Sequence, residues 1–157
     1  MGERARILVV DDDESIRKAI STILEEKGYL VDTAESGKEA IQKTHTGFYN
    51  LALIDIRLPD MEGIELLTRM KETTPRMVKI VVTGFPSLQN AMEAVNRNAD
   101  AYIIKPVKID DLLDTVRKQL KKQKKAKEYS EGKITEFIET RVKELEEEQT
   151  TAAGEAS

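Results

Sequence analysis

The chain of 157 residues contains no cysteine, so disulfides and thiolate metal sites are excluded. It has one histidine, His45, which leaves no room for a multi-histidine metal centre. There is no excess of basic charge: the formal net charge is -4, which argues against nucleic acid as a direct partner, because phosphate binding needs clustered Lys and Arg. No apolar run approaches the length of a membrane span. The N-terminal stretch MGERARILVV lacks a long apolar core and a small-residue cleavage pattern, so no secretion signal is visible. A cytoplasmic protein with no membrane partner is the expectation. No internal repeat is present.

What is there is a series of short apolar runs, rich in β-branched residues. They are Ile7–Val10, Leu30–Thr33, Leu51–Ile54, Val78–Thr83 and Ala101–Ile104. Most are nearly continuous rather than alternating, as expected of strands buried on both faces of a parallel sheet. Helical patterns separate them. Ser15–Lys27 carries Ile16, Ala19, Ile20, Ile23 and Leu24 on one face, with Gly28 as a stop. Ser36-Gly37 opens a second helix, with Ala40 and Ile41 inward. Glu62–Lys71 brings Ile64, Leu66, Leu67 and Met70; Ser87–Asn96 brings Leu88, Ala91, Met92 and Val95; Asp110–Leu120 brings Leu112, Leu113, Val116 and Leu120. The sum is an α/β fold of (βα)5 type, a doubly wound five-stranded parallel sheet with helices on both faces.

Composition shifts after Leu120. KKQKKAKEYSEGK is nearly devoid of aliphatic residues and predicts a solvated helix extension ending near Gly132. ITEFIETRVKELEEE regains helical spacing through Ile134, Phe137, Ile138, Val142 and Leu145. QTTAAGEAS has nothing to bury and is expected to be disordered. Residues 1–122 are thus expected to form one domain, and 123–157 a charged helical extension with a disordered tail.

Two apolar strands end in acid: ILVV runs into Asp11, Asp12 and Asp13, and LALI into Asp55. Thr83 ends the fourth strand and Lys105, before Pro106, ends the fifth. A parallel sheet gathers these ends on one rim, where open α/β sheets bind their ligands. Packed carboxylates need a counter-charge, and a hard divalent cation with oxygen ligands supplies one. Mg2+ suits the set better than a softer metal, since no thiolate or placed histidine is available. With the Lys105 ammonium and the Thr83 hydroxyl, such a rim would cradle phosphoryl oxygens, and a carboxylate such as Asp55 can attack phosphorus to give an acyl phosphate.

The motifs VVDDDE, LIDIRLPDMEG, VVTG and YIIKP, in that order at the ends of these strands, resemble those of response-regulator receiver domains of two-component signalling, over residues ~5–122. The resemblance implies the CheY-like, flavodoxin-like fold. It implies that Asp55 accepts a phosphoryl group from a sensor histidine kinase, and that the chain is a signalling domain rather than an enzyme, acting only on its own aspartyl phosphate. Asp11 and Asp12 match the acidic pair that holds Mg2+, with Asp12 as the direct ligand. Asp55 and the backbone carbonyl of Arg57 complete the metal set. Thr83 matches the hydroxyl that swings toward the phosphoryl group, Lys105 the lysine that pairs with it, and Tyr102 the aromatic whose rotamer reports the state. Lys105-Pro106 would carry a cis peptide. Gly84 should leave access to Asp55 open, and Arg57 and Phe85 occupy positions that set the lifetime of the phosphoryl state.

Plainer readings apply to several residues. Asp13 and Glu14 suit the start of a helix. Asp60, after Pro59, is a turn residue, and Gly63 serves the start of the following helix. His45 belongs to a helix surface. The lysines from Lys121 to Lys127 are a solvated helix end, with no aromatic interleaved and only Tyr129 beyond. No helix-turn-helix is visible, and too few apolar residues follow Leu120 for a second core. The chain is therefore expected to be a stand-alone receiver, or the receiver end of a longer protein, acting on a downstream protein target. Homodimers are expected through the face of the fourth helix, fifth strand and fifth helix, or through the C-terminal helix. A metal-dependent phosphatase would need a cap or substrate insertion that is absent from the pattern. A constitutive scaffold would not need the polar rim.

Overall fold

The computed structural model describes residues 4–156, with side chains to Thr151; Met1–Glu3 and Ser157, at the two ends of the segments read above for signal and disorder, lie outside the described residues. The elements in chain order are β1 (Arg6–Val10), α1 (Glu14–Glu26), β2 (Leu30–Ala34), α2 (Gly37–Thr46), β3 (Leu51–Asp55), α3 (Gly63–Arg69), β4 (Val78–Thr83), α4 (Leu88–Asn96), β5 (Ala101–Ile104) and α5 (Ile109–Ala156). Two compact units result, Met1–Gln123 and Lys124–Ser157.

In the first unit the five strands are parallel, in the order β2-β1-β3-β4-β5. The three central strands are buried at every position except Arg6. That explains their nearly continuous apolar character, for both pleat faces meet helices; the one interior exception, Lys79 of β4, donates its ammonium to the Leu67 carbonyl at 2.6 Å. One face carries Ile7, Val9, Leu51, Leu53, Ile80 and Val82, packed with Ile20 and Leu24 of α1 and Leu112 and Val116 of α5. The other carries Leu8, Val10, Ala52, Ile54 and Val81, packed with Ala40, Ile64, Leu67 and Ala94 of α2, α3 and α4. Because the chain leaves β1 for β2 on one side and β3 on the other, the direction of winding reverses between β1 and β3. The crevice at that reversal opens at the strands' carboxyl ends.

Helix starts follow local chemistry. The Asp13 carboxylate accepts the Ile16 N–H at 3.1 Å and caps α1; the Ser36 hydroxyl accepts the Glu39 N–H at 3.2 Å for α2; the Ser87 hydroxyl accepts the Asn90 N–H at 3.0 Å for α4. After α1 the chain turns through Gly28 at φ 93°, a left-handed conformation suited to glycine.

Three expectations are corrected. On α1, Ala19 is exposed and Arg17 and Ser21 are buried, because the Arg17 guanidinium reaches the Asp11 carbonyl and the Ser21 hydroxyl donates to the Arg17 carbonyl, each at 2.7 Å. On α4 the stripe Leu88, Met92 and Val95 faces outward at 77%, 57% and 69% exposure, and Ala94 is the residue that meets the core. Finally, α5 neither stops near Gly132 nor gives way to disorder from Gln149: it runs as one helix to Ala156. Extending a helix fixes one residue per new hydrogen bond, whereas nucleating one is costly. One interior glycine, about 1 kcal/mol worse than alanine, does not outweigh the Glu, Lys, Gln and Ala around it.

In the first unit, α5 is held by Leu112 and Val116, and by the Gln123 side-chain amide, which donates to the carbonyls of Asn50 at 2.9 Å and Arg76 at 2.8 Å. In the second unit every residue from 124 to 151 is exposed. Among the described residues no helix is long and apolar enough to cross a membrane.

Candidate functional site

Register places the acidic residues. Val10 pairs with Ile54, so Asp11 and Asp55, the next residues on β1 and β3, emerge side by side. Asp55 in turn pairs with Val82, so Thr83 lies one step beyond it on β4. The Lys105 N–H donates to the Thr83 carbonyl at 2.7 Å, which brings the β5 end to the same rim. The Lys105-Pro106 peptide is cis.

The Lys105 ammonium donates to Asp11 Oδ2 and to Asp55 Oδ2, both at 3.1 Å. Asp11 and Asp55 are 3% and 8% exposed, while Asp12 stands toward solvent. One carboxylate oxygen from each of Asp11, Asp12 and Asp55 lies within 4.8 Å of the others. Burial pushes the Asp11 carboxyl above its usual range; the Asp13 N–H, donating to Oδ1 at 2.9 Å, and Lys105 only partly offset this. Burial alone would pull the Lys105 ammonium down, but its bonds to Asp55 and Asp11 more than offset that and hold it above the ordinary lysine value.

Three acids against one cation leave the cluster short of positive charge. The donors are all oxygen, and a hard divalent ion is the group they fit.

The neighbours fix this rim. The Arg57 N–H donates to Asp55 Oδ1 at 3.1 Å, and the Arg57 guanidinium lies over the Phe85 ring, 3.7 Å from its centroid. Thr83 is 1% exposed, and its hydroxyl oxygen accepts the Phe85 N–H at 3.0 Å. Tyr102 packs against the core face formed by α2, α3 and α4, and its buried hydroxyl finds no hydrogen-bond partner among the described residues. A Cβ on Gly84 would sit 3.8 Å from Lys105 Cδ, an ordinary contact. His45 lies in the last turn of α2 and is exposed, away from the strand ends. The structure thus brings Asp11, Asp12, Asp55 and Lys105 together. It leaves the Thr83 hydroxyl engaged with Phe85, and Tyr102 turned into the core.

Three contributors were not read from the sequence. Arg17, 8% exposed, donates to the Asp11 carbonyl at 2.7 Å and pins the end of β1. A cation on an otherwise apolar helix face was the only clue. Gly63 approaches the backbone of Asp55 so closely that a Cβ would lie 2.0 Å from its carbonyl oxygen. Asp60 accepts the Gly37 and Lys38 N–H groups, both at 2.9 Å, and so ties the β3–α3 loop to the start of α2. No local pattern marks that contact between distant segments.

The Lys38 and Gly37 N–H groups hold the Asp60 carboxyl below 3.8. A depressed folded value means the contact stabilises the fold above 3.8 and is lost as pH falls through the lower folded value. Asp60→Asn should therefore lower the stability, and with it Tm, at neutral pH, the loss being less than about 1 kcal/mol for so exposed a group. The deficit should shrink as the pH is taken below 3.8, through the range where the native carboxyl also loses its charge. Parallel melting curves of the two proteins across that range check it; a constant deficit would refute the charge effect.

The response regulator receiver domain family model matches residues 7–117. Among curated relatives, the transcriptional regulatory protein DltR of Streptococcus agalactiae is 38% identical over 112 residues, which are 71% of this chain and 50% of DltR. The transcriptional regulatory protein ZraR of Escherichia coli is 36% identical over 114 residues, 73% of this chain and 26% of ZraR. The chain thus spans half the length of one and about a quarter of the other. Among solved structures, a CheY-like receiver domain protein from Methanospirillum hungatei superposes with a TM-score of 0.76 at 47% identity, covering 79% of this chain and 99% of that one. Chemotaxis protein CheY4 of Vibrio cholerae gives 0.70 at 30% identity, covering 74% and 98%. With a five-stranded parallel sheet in the order β2-β1-β3-β4-β5 and an acidic rim at the β1–β3 reversal, the chain belongs to the response regulator receiver domain family.

Proposed function

We propose that the chain is a phosphorylation switch in which Asp55 takes a phosphoryl group from the phosphohistidine of a sensor histidine kinase. The observation that carries this reading is the pair of 3.1 Å bonds from Lys105 to Asp55 and Asp11. They hold one carboxylate of a buried acidic cluster beside a fixed cation at a solvent-facing rim. In the transfer, a phosphorus–nitrogen bond on the donor breaks and a bond from an Asp55 carboxylate oxygen to phosphorus forms. Hydrolysis later returns the carboxylate and inorganic phosphate.

Asp11, Asp12, Asp55 and the Arg57 carbonyl would hold Mg2+. The bound ion supplies charge neutralisation for the phosphoryl oxygens. Lys105 pairs with an oxygen of the new group. The Thr83 hydroxyl accepts one hydrogen bond and still has its own proton to donate toward a phosphoryl oxygen. Because Thr83 also anchors the Phe85 backbone, its movement pulls on the loop leading into α4. Tyr102 fits a two-position side chain: a buried hydroxyl without a partner costs about 1–3 kcal/mol, and rotation outward returns it to water. The Arg57–Phe85 stack lies beside Asp55 and meters the approach of hydrolytic water.

The output surface in this reading is the exposed set Leu88, Met92 and Val95 on α4 and Ile104 on β5. A partner reads it by binding one state more tightly than the other. In this reading the switch acts on a protein target, and residues 4–151 make no direct DNA contact. Supporting this, its net charge is negative and the unit after Gln123 presents one exposed helix.

The test is intact mass after incubation with acetyl phosphate. Incorporation should need Mg2+, and chelation should slow it at least about a hundredfold, the scale of losing one charge-stabilising group at a reacting centre. Incorporation at an unchanged rate in chelator would overturn the metal assignment, and no incorporation from either acetyl phosphate or a phosphorylated kinase would overturn the function.

A further inference from the structure

The second unit is a helix whose described side chains are all exposed from 124 to 151. A helix with no packed face has little to hold it in water beyond its own hydrogen bonds. Yet this one carries an apolar stripe: Ile134, Ile138 and Leu145 fall on one line at helical spacing, with Phe137 and Val142 beside it. These five are 59%, 53%, 43%, 71% and 49% exposed respectively. Tyr129 lies on the opposite side and is not part of the stripe.

Charge identifies the occupant. The same line ends in Lys127 on one side and Glu148 on the other, ~31 Å apart at ~1.5 Å per residue, and it carries Glu131 and Arg141 between. Beyond these, Lys121, Lys122, Lys124 and Lys125 make the N-terminal end basic, and Glu144, Glu146 and Glu147 make the C-terminal end acidic. A parallel, in-register partner would set Lys127 against Lys127, Arg141 against Arg141 and Glu148 against Glu148. An antiparallel partner centred between Phe137 and Ile138 sets Lys127 level with Glu148 at both ends. It also places Phe137 and Ile138 of each copy together in the middle, and brings Lys124 and Lys125 within about a turn of Glu148. On the apolar line the like-charge approach is Glu131 level with Glu144, and it is met by Arg141, which already bonds Glu144 at 3.1 Å; Glu128 and Glu147, and Glu136 and Glu139, are also level but lie off that line.

We infer that the stripe Ile134, Phe137, Ile138, Val142 and Leu145 pairs with a second copy of this chain, the two helices running antiparallel about Phe137 and Ile138. The pairing draws on the charge polarity and apolar line of the second unit alone, independent of the chemistry at Asp55.

Sedimentation or light scattering of the full chain over a concentration series should show a dimer that dissociates on dilution. Ile138→Glu and Phe137→Glu should each weaken it at least about tenfold, or 1.4 kcal/mol. Since the chain has no cysteine, introduced thiols report direction. A mixture of Lys127→Cys and Glu148→Cys chains should cross-link on oxidation, while neither alone should. A monomer throughout, a dimer insensitive to Ile138→Glu and Phe137→Glu, or efficient cross-linking of Lys127→Cys by itself would each overturn the proposal.

Discussion

Asp55→Asn is expected to leave the chain folded and unable to take up a phosphoryl group. The amide oxygen of asparagine can still accept the Arg57 N–H that Asp55 Oδ1 accepts at 3.1 Å. Lys105 keeps Asp11 as its partner at 3.1 Å. One negative charge also leaves a cluster whose three carboxylates lie within 4.8 Å of one another. These changes oppose each other, so the stability change should stay within about 1 kcal/mol. The amide is a far poorer nucleophile toward phosphorus than a carboxylate, so adduct from acetyl phosphate and Mg2+ should fall below detection. Mass spectrometry and a melting curve on the same sample separate loss of chemistry from loss of fold. Undiminished incorporation in Asp55→Asn would move the acceptor to another rim acid, with Asp12 the first candidate.

The second large effect is expected from Gly63→Ala. A Cβ there would meet the Asp55 carbonyl oxygen at 2.0 Å and its carbonyl carbon at 2.8 Å. These are main-chain atoms of a central strand, so no side-chain rotation relieves the clash. Helix propensity favours alanine by only about 1 kcal/mol, and less at a first-turn position. Overpacking against backbone should exceed that several-fold, for a net loss of about 3 kcal/mol and a fall in Tm of about 10 °C. The strain falls on Asp55, the proposed acceptor, so phosphoryl uptake by the folded fraction should slow as well. Gly132→Ala is the matched control: nothing lies within 4 Å of its Cβ position, and it should strengthen the helical signal. A Gly63→Ala protein that melts within about 2 °C of the native chain would show that the loop yields easily.

The fold was legible because the central strands are buried on both faces. Ile7–Val10 and Leu51–Ile54 are apolar without a break and Val78–Val82 is interrupted only by Lys79, and each polar residue that follows marks a strand end. Register then brings Asp11, Asp55 and Lys105 together without any further instruction in the local pattern. Contacts that join distant loops were not legible. Asp60 reads as an ordinary turn residue, and only the assembled fold shows its carboxylate at the start of α2. Gly63 reads as a helix start, and its approach to Asp55 depends on how the β3–α3 loop folds back. Periodicity also does not say which way a stripe points: Leu88, Met92 and Val95 have the spacing of an inward face, yet they turn outward. At the C-terminal end, polarity was taken for disorder, whereas residues that are polar and good helix formers continue a helix already begun.

The outward turn of α4 has an evolutionary consequence. Ala94 is the helix's one fully buried side chain, while Leu88, Met92 and Val95 contribute little to folding. Substitutions at such positions usually change stability by less than about 0.5 kcal/mol. After gene duplication, two copies could therefore drift apart in the partners they recognise while both keep the same buried strands and the same acidic rim. Separate signalling lines could diverge from one ancestor without passing through an unstable intermediate.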